Sequence, residues 1–185
     1  MTRIWYDTEF LEDGRTIELI SIGMVREDGR ELYAVAQEIE DDPLYDRIRR
    51  HPWLMENVVP HLPLRAGRGN PTGPDAQYPG HFSLDSDSNV IMPRRMIRNA
   101  VRELILDVEK PELWAWYGAY DHVALAQLWG PMISLPQGVP MWTNDLRQEV
   151  ARRGDPRLPE QSSEEHHALA DARWVRDAHL WLDRQ

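Results

Sequence analysis

Asp7 and Glu9 near the start of the chain, Asp121 two-thirds along, and His166 with Asp171 near the end supply four carboxylates and one imidazole. The three groups are remote from one another in sequence, so only a fold can bring them together. Carboxylates are hard oxygen ligands suited to Mg2+ or Mn2+, and four of them can hold two divalent ions. A histidine beside them can take a proton from an attacking water. The chemistry this set could perform is metal-assisted hydrolysis.

Each motif also has an ordinary reading. Asp7-Thr8-Glu9 places two carboxylates at i and i+2 of a strand, on one face and about 7 Å apart. A solvated strand end would look the same. Here, however, Ile4-Trp5-Tyr6 and Phe10-Leu11 surround the pair with apolar residues, where unpartnered carboxylates are costly. Asp121 follows Trp116-Tyr117-Gly118-Ala119-Tyr120 at a strand-to-helix junction, where a first-turn acid is also favoured by the helix dipole. Gly118 and Ala119 allow a close approach at that turn. His166 stands five residues before Asp171, among the small residues Ala168, Ala170 and Ala172. The ordinary role of such a histidine is a helix cap, and the small residues let the helix pack close to a sheet.

The elements that must position these groups can be read along the chain. Runs at 3–9, 16–25 and 31–39 read as strands, the last two joined by the Asp28-Gly29 turn, and together form an N-terminal meander. A short helix is expected over 43–50, with Asp41 or Asp42 as cap and Pro43 in its first turn, then another helical turn within 51–59. Residues 60–89, rich in Gly, Pro, Asp and Ser, read as an extended loop. Met96, Ile97, Val101, Leu104, Ile105 and Val108 have helical spacing over 93–108, with Arg94, Arg95, Arg98 and Arg102 largely on other faces. A strand over 113–117, a helix over 120–128, a strand over 139–143, a helix capped by Asn144 and a last helix over 165–182 complete the order. The expected fold is a mixed α/β sheet flanked by helices, in one domain spanning 1–185 with the 60–89 loop as an insertion.

Composition narrows the function classes. With 42% apolar residues and eight Trp, the 185-residue chain has enough material for a core. The absence of cysteine excludes a disulfide framework and a thiolate zinc site and accords with a reducing cytoplasm. The opening MTRIWYDTEF carries no apolar stretch behind a basic start, and no segment reaches the length of a membrane span. A net charge of −10 argues against a broad basic nucleic-acid surface, although bound metal can supply local positive charge and one strand end needs only a local groove.

The ordered set Asp7-x-Glu9, Tyr120-Asp121 before a helix, and His166-x-Ala-x-x-Asp171 resembles the DEDDh 3′–5′ exonucleases of the ribonuclease H-like superfamily, above all its small stand-alone exoribonucleases. The resemblance covers residues 5–172. It implies a ribonuclease H-like fold and two Mg2+ or Mn2+ ions. Asp7 would bridge both ions, Glu9 and Asp171 would complete one site, and Asp121 would help hold the other. It further implies His166 as general base, nucleoside 5′-monophosphate products and a homodimer. Phe10 and Leu11 match positions that wedge the terminal base. Tyr117 stands where many members have Asn, which leaves substrate handling open. Motif spacing selects His166 over His167, which is then structural or solvent-facing. The expected partner is a single-stranded RNA 3′ end. The alternatives are a 3′–5′ exodeoxyribonuclease and a non-catalytic nucleic-acid scaffold. Arg94, Arg95, Arg98 and Arg102 could contact phosphates, although a solvated helix face is the more common explanation of such a run, and Arg65 and Arg68 on the long loop could reach a substrate strand. Trp53, Trp114, Trp116 and Trp174 are assigned mostly to core or subunit contacts.

Overall fold

The computed structural model describes residues 1–65, 80–161 and 164–185. Six strands within them form one mixed sheet. β1 (Thr2–Glu12), β2 (Ile17–Arg26) and β3 (Glu31–Ala36) make the antiparallel meander. β4 (Ile91–Met92) joins β3 in parallel, and β5 (Pro111–Ala115) and β6 (Asn144–Asp145) extend the other side in parallel, giving the order β4-β3-β2-β1-β5-β6. With its flanking helices this is the ribonuclease H-like arrangement expected from the sequence.

β1 is central because Ile4, Trp5 and Tyr6 are all fully buried, which requires cover on both sheet faces. β5 pairs with it only from Thr2↔Pro111 to Trp5↔Trp114. Beyond Trp5 that edge of β1 is open, and this is where Asp7 and Glu9 stand.

The helices cover the two faces separately. α3 (Arg94–Leu106) and α4 (Ala119–Gln127) send Ile97, Val101, Leu104, Ala124 and Leu125 into the main core with Ile4, Tyr6, Ile20 and Ile22. α5 (Leu146–Arg152) and α6 (Ala168–Leu182) pack with Trp5 in a second cluster. The indole Nε1 of Trp5 donates to His179 Nδ1 at 2.9 Å, tying the later part of α6 to β1. At the other end of α6, a Cβ on Gly23 of β2 would meet Leu169 N at 2.2 Å and Ala168 O at 2.3 Å. Helix backbone therefore rests directly on strand backbone there. Gly23 pairs with Asp7 across the ladder, so the contact lies beside the first carboxylate.

Several boundaries differ from expectation. The third strand ends at Ala36, and Gln37–Glu40 form a 3₁₀ turn. In α1 (Leu44–Arg49) Pro43 occupies the cap position without a side-chain bond, so neither Asp41 nor Asp42 caps it. α2 (Pro52–Asn57) is capped by the His51 side chain. Residues 139–143 form no strand; the ladder is at Asn144–Asp145, and Asp145 rather than Asn144 caps α5 by accepting from Arg147 N at 2.9 Å. β4 was not foreseen, since two residues carry no period. The expected 60–89 loop is pinned at its flanks by a Leu64↔Leu84 bridge and by buried Phe82. Residues 66–79, Arg68 among them, lie outside the described residues. Among the described residues no helix is long and apolar enough to cross a membrane.

Gly23→Ala is expected to destabilise the protein by about 3 kcal/mol, at the upper end of overpacking costs because the obstructing atoms are backbone. Thermal melting checks this: a fall of several degrees is expected, and an unchanged midpoint would contradict the close contact.

Candidate active site

A cleft of about 960 Å³ opens at the end of β1 that β5 leaves unpaired, and Asp7, Glu9, Asp121, His166 and Asp171 all line it. Each is positioned by a different local device. Asp7 and Glu9 project together from β1 by strand alternation. Asp121, in the first turn of α4, accepts from Thr8 N at 2.8 Å and Thr8 Oγ1 at 2.7 Å. That pair satisfies the backbone group left free where β5 ends. Beneath it, Tyr6 Oη and His122 Nδ1 both meet Thr143 Oγ1, at 2.6 Å and 3.0 Å, and lock α4 to β1. Gly118 serves this packing: a Cβ there would meet Ala115 Cβ at 2.9 Å and Thr143 Cγ2 at 3.1 Å.

The last motif is organised differently from the expected helix start. α6 begins at Ala168 and is capped by His167, whose Nδ1 accepts from Ala170 N at 3.3 Å. His167 also stacks on Tyr33 at 4.3 Å between centroids, which makes it structural. His166 lies before the helix with φ 67°, a region that histidine visits more than most residues. Its backbone N–H donates to Asp171 Oδ2 at 2.9 Å, so the five-residue spacing closes a turn onto the acid. The imidazole meets the Trp53 ring edge-on at 4.8 Å. Donor atoms of Glu9, His166 and Asp171 all lie within 4.8 Å of one another.

The electrostatics are those of crowded carboxylates. Burial, then the charges of Asp121, Glu9 and Asp171, pushes Asp7 well above the ordinary carboxylate range. Burial, Asp171 and Asp121 push Glu9 to about 8. Burial raises Asp121 to about 6 against the opposing hydrogen bonds from Thr8. Asp171 is raised by burial, partly offset by the Gln161 amide and the His166 N–H. Among the described residues no Arg or Lys lines the cleft, and none of the four acids has an ion-pair partner. A set of oxygen donors without a protein counter-charge is the environment a hard divalent cation fits.

The expected substrate positions separate. Phe10 lines the cleft and stacks on Tyr120 with rings 10° from parallel at 5.9 Å. Leu11 does not face the cleft: it is 3% exposed inside the main core and offers a base no surface. Tyr117 lies past the end of β5 with φ 55°, is 63% exposed and lines the cleft. Of the tryptophans assigned to the core, Trp53, Trp116 and Trp174 line the cleft, and only Trp114 is confined to the second cluster. Gln161 was missed; its Nε2 donates to Asp171 Oδ1 at 2.5 Å. It sits in a stretch with no periodic pattern, so nothing in the sequence singles it out.

In metal-free protein the folded state holds protons on Glu9 to about pH 8 and on Asp121 to about pH 6. The unfolded chain releases them near ordinary carboxylate values. The folded state thus binds more protons between those limits, and stability falls as pH rises through them. Melting in EDTA is expected to give a lower midpoint at pH 8 than at pH 5.5, with the difference reduced in Glu9→Gln. A midpoint that rises over this range would contradict the crowded-carboxylate reading.

No family model matches the chain. Two proteins named 3′-5′ exoribonuclease, from the CDC 1551 / Oshkosh and H37Rv strains of Mycobacterium tuberculosis, are each 46% identical to it over 173 residues, covering 92% of this chain and 87% of theirs. Identity of that extent over nearly the whole of both sequences places this chain in the family of these mycobacterial exoribonucleases.

Proposed function

We propose that the protein is a metal-dependent 3′–5′ exoribonuclease of the DEDDh type, working as a single domain that releases nucleoside 5′-monophosphates from an RNA 3′ end. The observation that carries this reading is the convergence of four uncompensated carboxylates and one histidine on a cleft, in a chain whose relatives are named for that activity.

In this reading Asp7, Glu9, Asp121 and Asp171 would hold two divalent ions, Mg2+ or Mn2+. Such a pair, when bound, lowers the pKa of an attacking water and stabilises charge on the attacking and leaving oxygens. The chain's own residues do the rest. Thr8 fixes the Asp121 carboxylate through two hydrogen bonds. The His166 imidazole, which lines the cleft and is held against Trp53, takes the proton from the water. Phe10 and Tyr117 offer aromatic faces for stacking the terminal base, which binds without reading its identity.

Purified protein on 5′-labelled RNA and DNA of matched sequence tests the assignment. A Mg2+- or Mn2+-dependent ladder shortening RNA from its 3′ end, abolished by EDTA and by Asp7→Ala, is expected. His166→Ala should lower turnover by roughly 10²–10⁴-fold while leaving RNA binding measurable. A ladder on DNA alone would make the protein an exodeoxyribonuclease, and binding without cleavage would make it a scaffold.

A further inference from the structure

The cleft has no Arg or Lys among its described lining, yet an RNA strand carries a negative charge at every phosphate. In a chain of net charge −10 the arginines are mostly occupied by acids. Arg3, Arg26, Arg30, Arg47, Arg49 and Arg94, for example, each have an ion-pair partner. Arg95, Arg98 and Arg102 form an exception on one element. All three are exposed, and none has an ion-pair partner among the described residues. The other unpaired arginines there, Arg15, Arg65 and Arg184, are scattered singly over the fold.

The spacing i, i+3, i+7 puts Arg95, Arg98 and Arg102 on one stripe of α3 spanning about 10 Å. Like charges three and four residues apart weaken a helix, so the stripe is not explained by helix stability. Nor is it part of the core face, which Ile97, Val101, Leu104 and Ile105 occupy.

The placement of α3 relates the stripe to the cleft. At its start, Arg94 Nη2 donates to Glu18 Oε2 at 3.0 Å and Leu19 O at 3.3 Å. Glu18 and Leu19 pair with Leu11 and Phe10, at the end of β1 that borders the cleft. At its other end Leu104 O accepts from Arg26, which pairs with Ile4 at the opposite end of the ladder. Measured along the strands, the stripe therefore begins at the cleft end of the sheet, on a helix that covers the face opposite the one from which Asp7 and Glu9 project; an RNA strand leaving the cleft would pass over the end of β1 to meet it. α3 also shares its core cluster with α4, whose Tyr120 stacks on Phe10 at the cleft.

We propose that this stripe binds the backbone phosphates of the RNA several nucleotides upstream of the 3′ end held in the cleft. The inference rests on the exoribonuclease reading and adds to it a substrate class: single strands long enough to reach α3, bound through phosphate charge without base readout. Phosphate contacts of this kind make affinity salt-dependent and sequence-independent. On this proposal a dinucleotide, held wholly in the cleft, binds without the stripe.

The test compares wild type with the triple variant Arg95→Gln, Arg98→Gln, Arg102→Gln on a dinucleotide and on a 12-nucleotide single-stranded RNA. KM for the 12-mer should rise about tenfold, and the slope of log affinity against log salt should fall by about 2. Dinucleotide turnover should be unchanged, which also shows that the site is folded. A triple Arg→Lys variant should keep 12-mer binding within about twofold of wild type, since phosphate contact needs only the charge. An unchanged 12-mer KM and salt slope, or an equal loss on both substrates, would overturn the proposal. If wild type cleaved neither RNA, the exoribonuclease reading would fail instead, and the stripe would be judged by 12-mer binding alone.

Discussion

Helix backbone lying directly on strand backbone at Gly23 is the contact on which the arrangement depends. Gly23 stands across the ladder from Asp7, and only its missing Cβ lets Ala168 and Leu169 come so near. That approach brings Asp171, one turn further along α6, and His166, just before the helix, over the carboxylates of β1. Trp5 and His179 hold the rest of α6 at the correct tilt from within the second core. A larger residue at Gly23 would lift the start of α6 and open the cleft from the side that carries the last motif.

The opposite wall is held by polar contacts instead of a close backbone approach. β5 stops pairing with β1 at Trp5, and the freed N–H of Thr8 goes to Asp121. One interruption in the sheet thus creates the open edge and supplies the anchor for the acid that fills it. Four acids then crowd together with no Arg or Lys partner among the described residues, and burial with mutual repulsion keeps several of them high in pKa. Folding elsewhere must supply the free energy that this crowding costs. The large apolar core under α3 and α4 is where that stabilisation resides.

Much of this was legible in the sequence because it rests on periodicity and residue type. The meander, α3, α4 and α6 follow from apolar spacing and from the Asp28-Gly29 turn. The residues of the three spaced motifs meet at one cleft. What was missed lacks a local signal. β4 and β6 are two-residue ladders fixed by neighbouring strands. Leu11 follows Phe10 in sequence and shares its apolar character, yet it is buried in the main core while Phe10 faces Tyr120. The exposed position of Trp53, and the reach of Gln161 to Asp171, are tertiary facts that neither composition nor spacing encodes.

In the proposed reading the four carboxylates hold divalent metal, and Glu9, pushed up to about 8, still carries a proton at pH 7 when no metal is bound. Calorimetric titration of Mn2+ into metal-free protein at pH 7, in two buffers of different ionisation enthalpy, tests it most directly. Two ions per chain are expected to bind with net release of protons, and Asp7→Asn should reduce both. No binding, or binding without proton release that Asp7→Asn leaves unchanged, would contradict it.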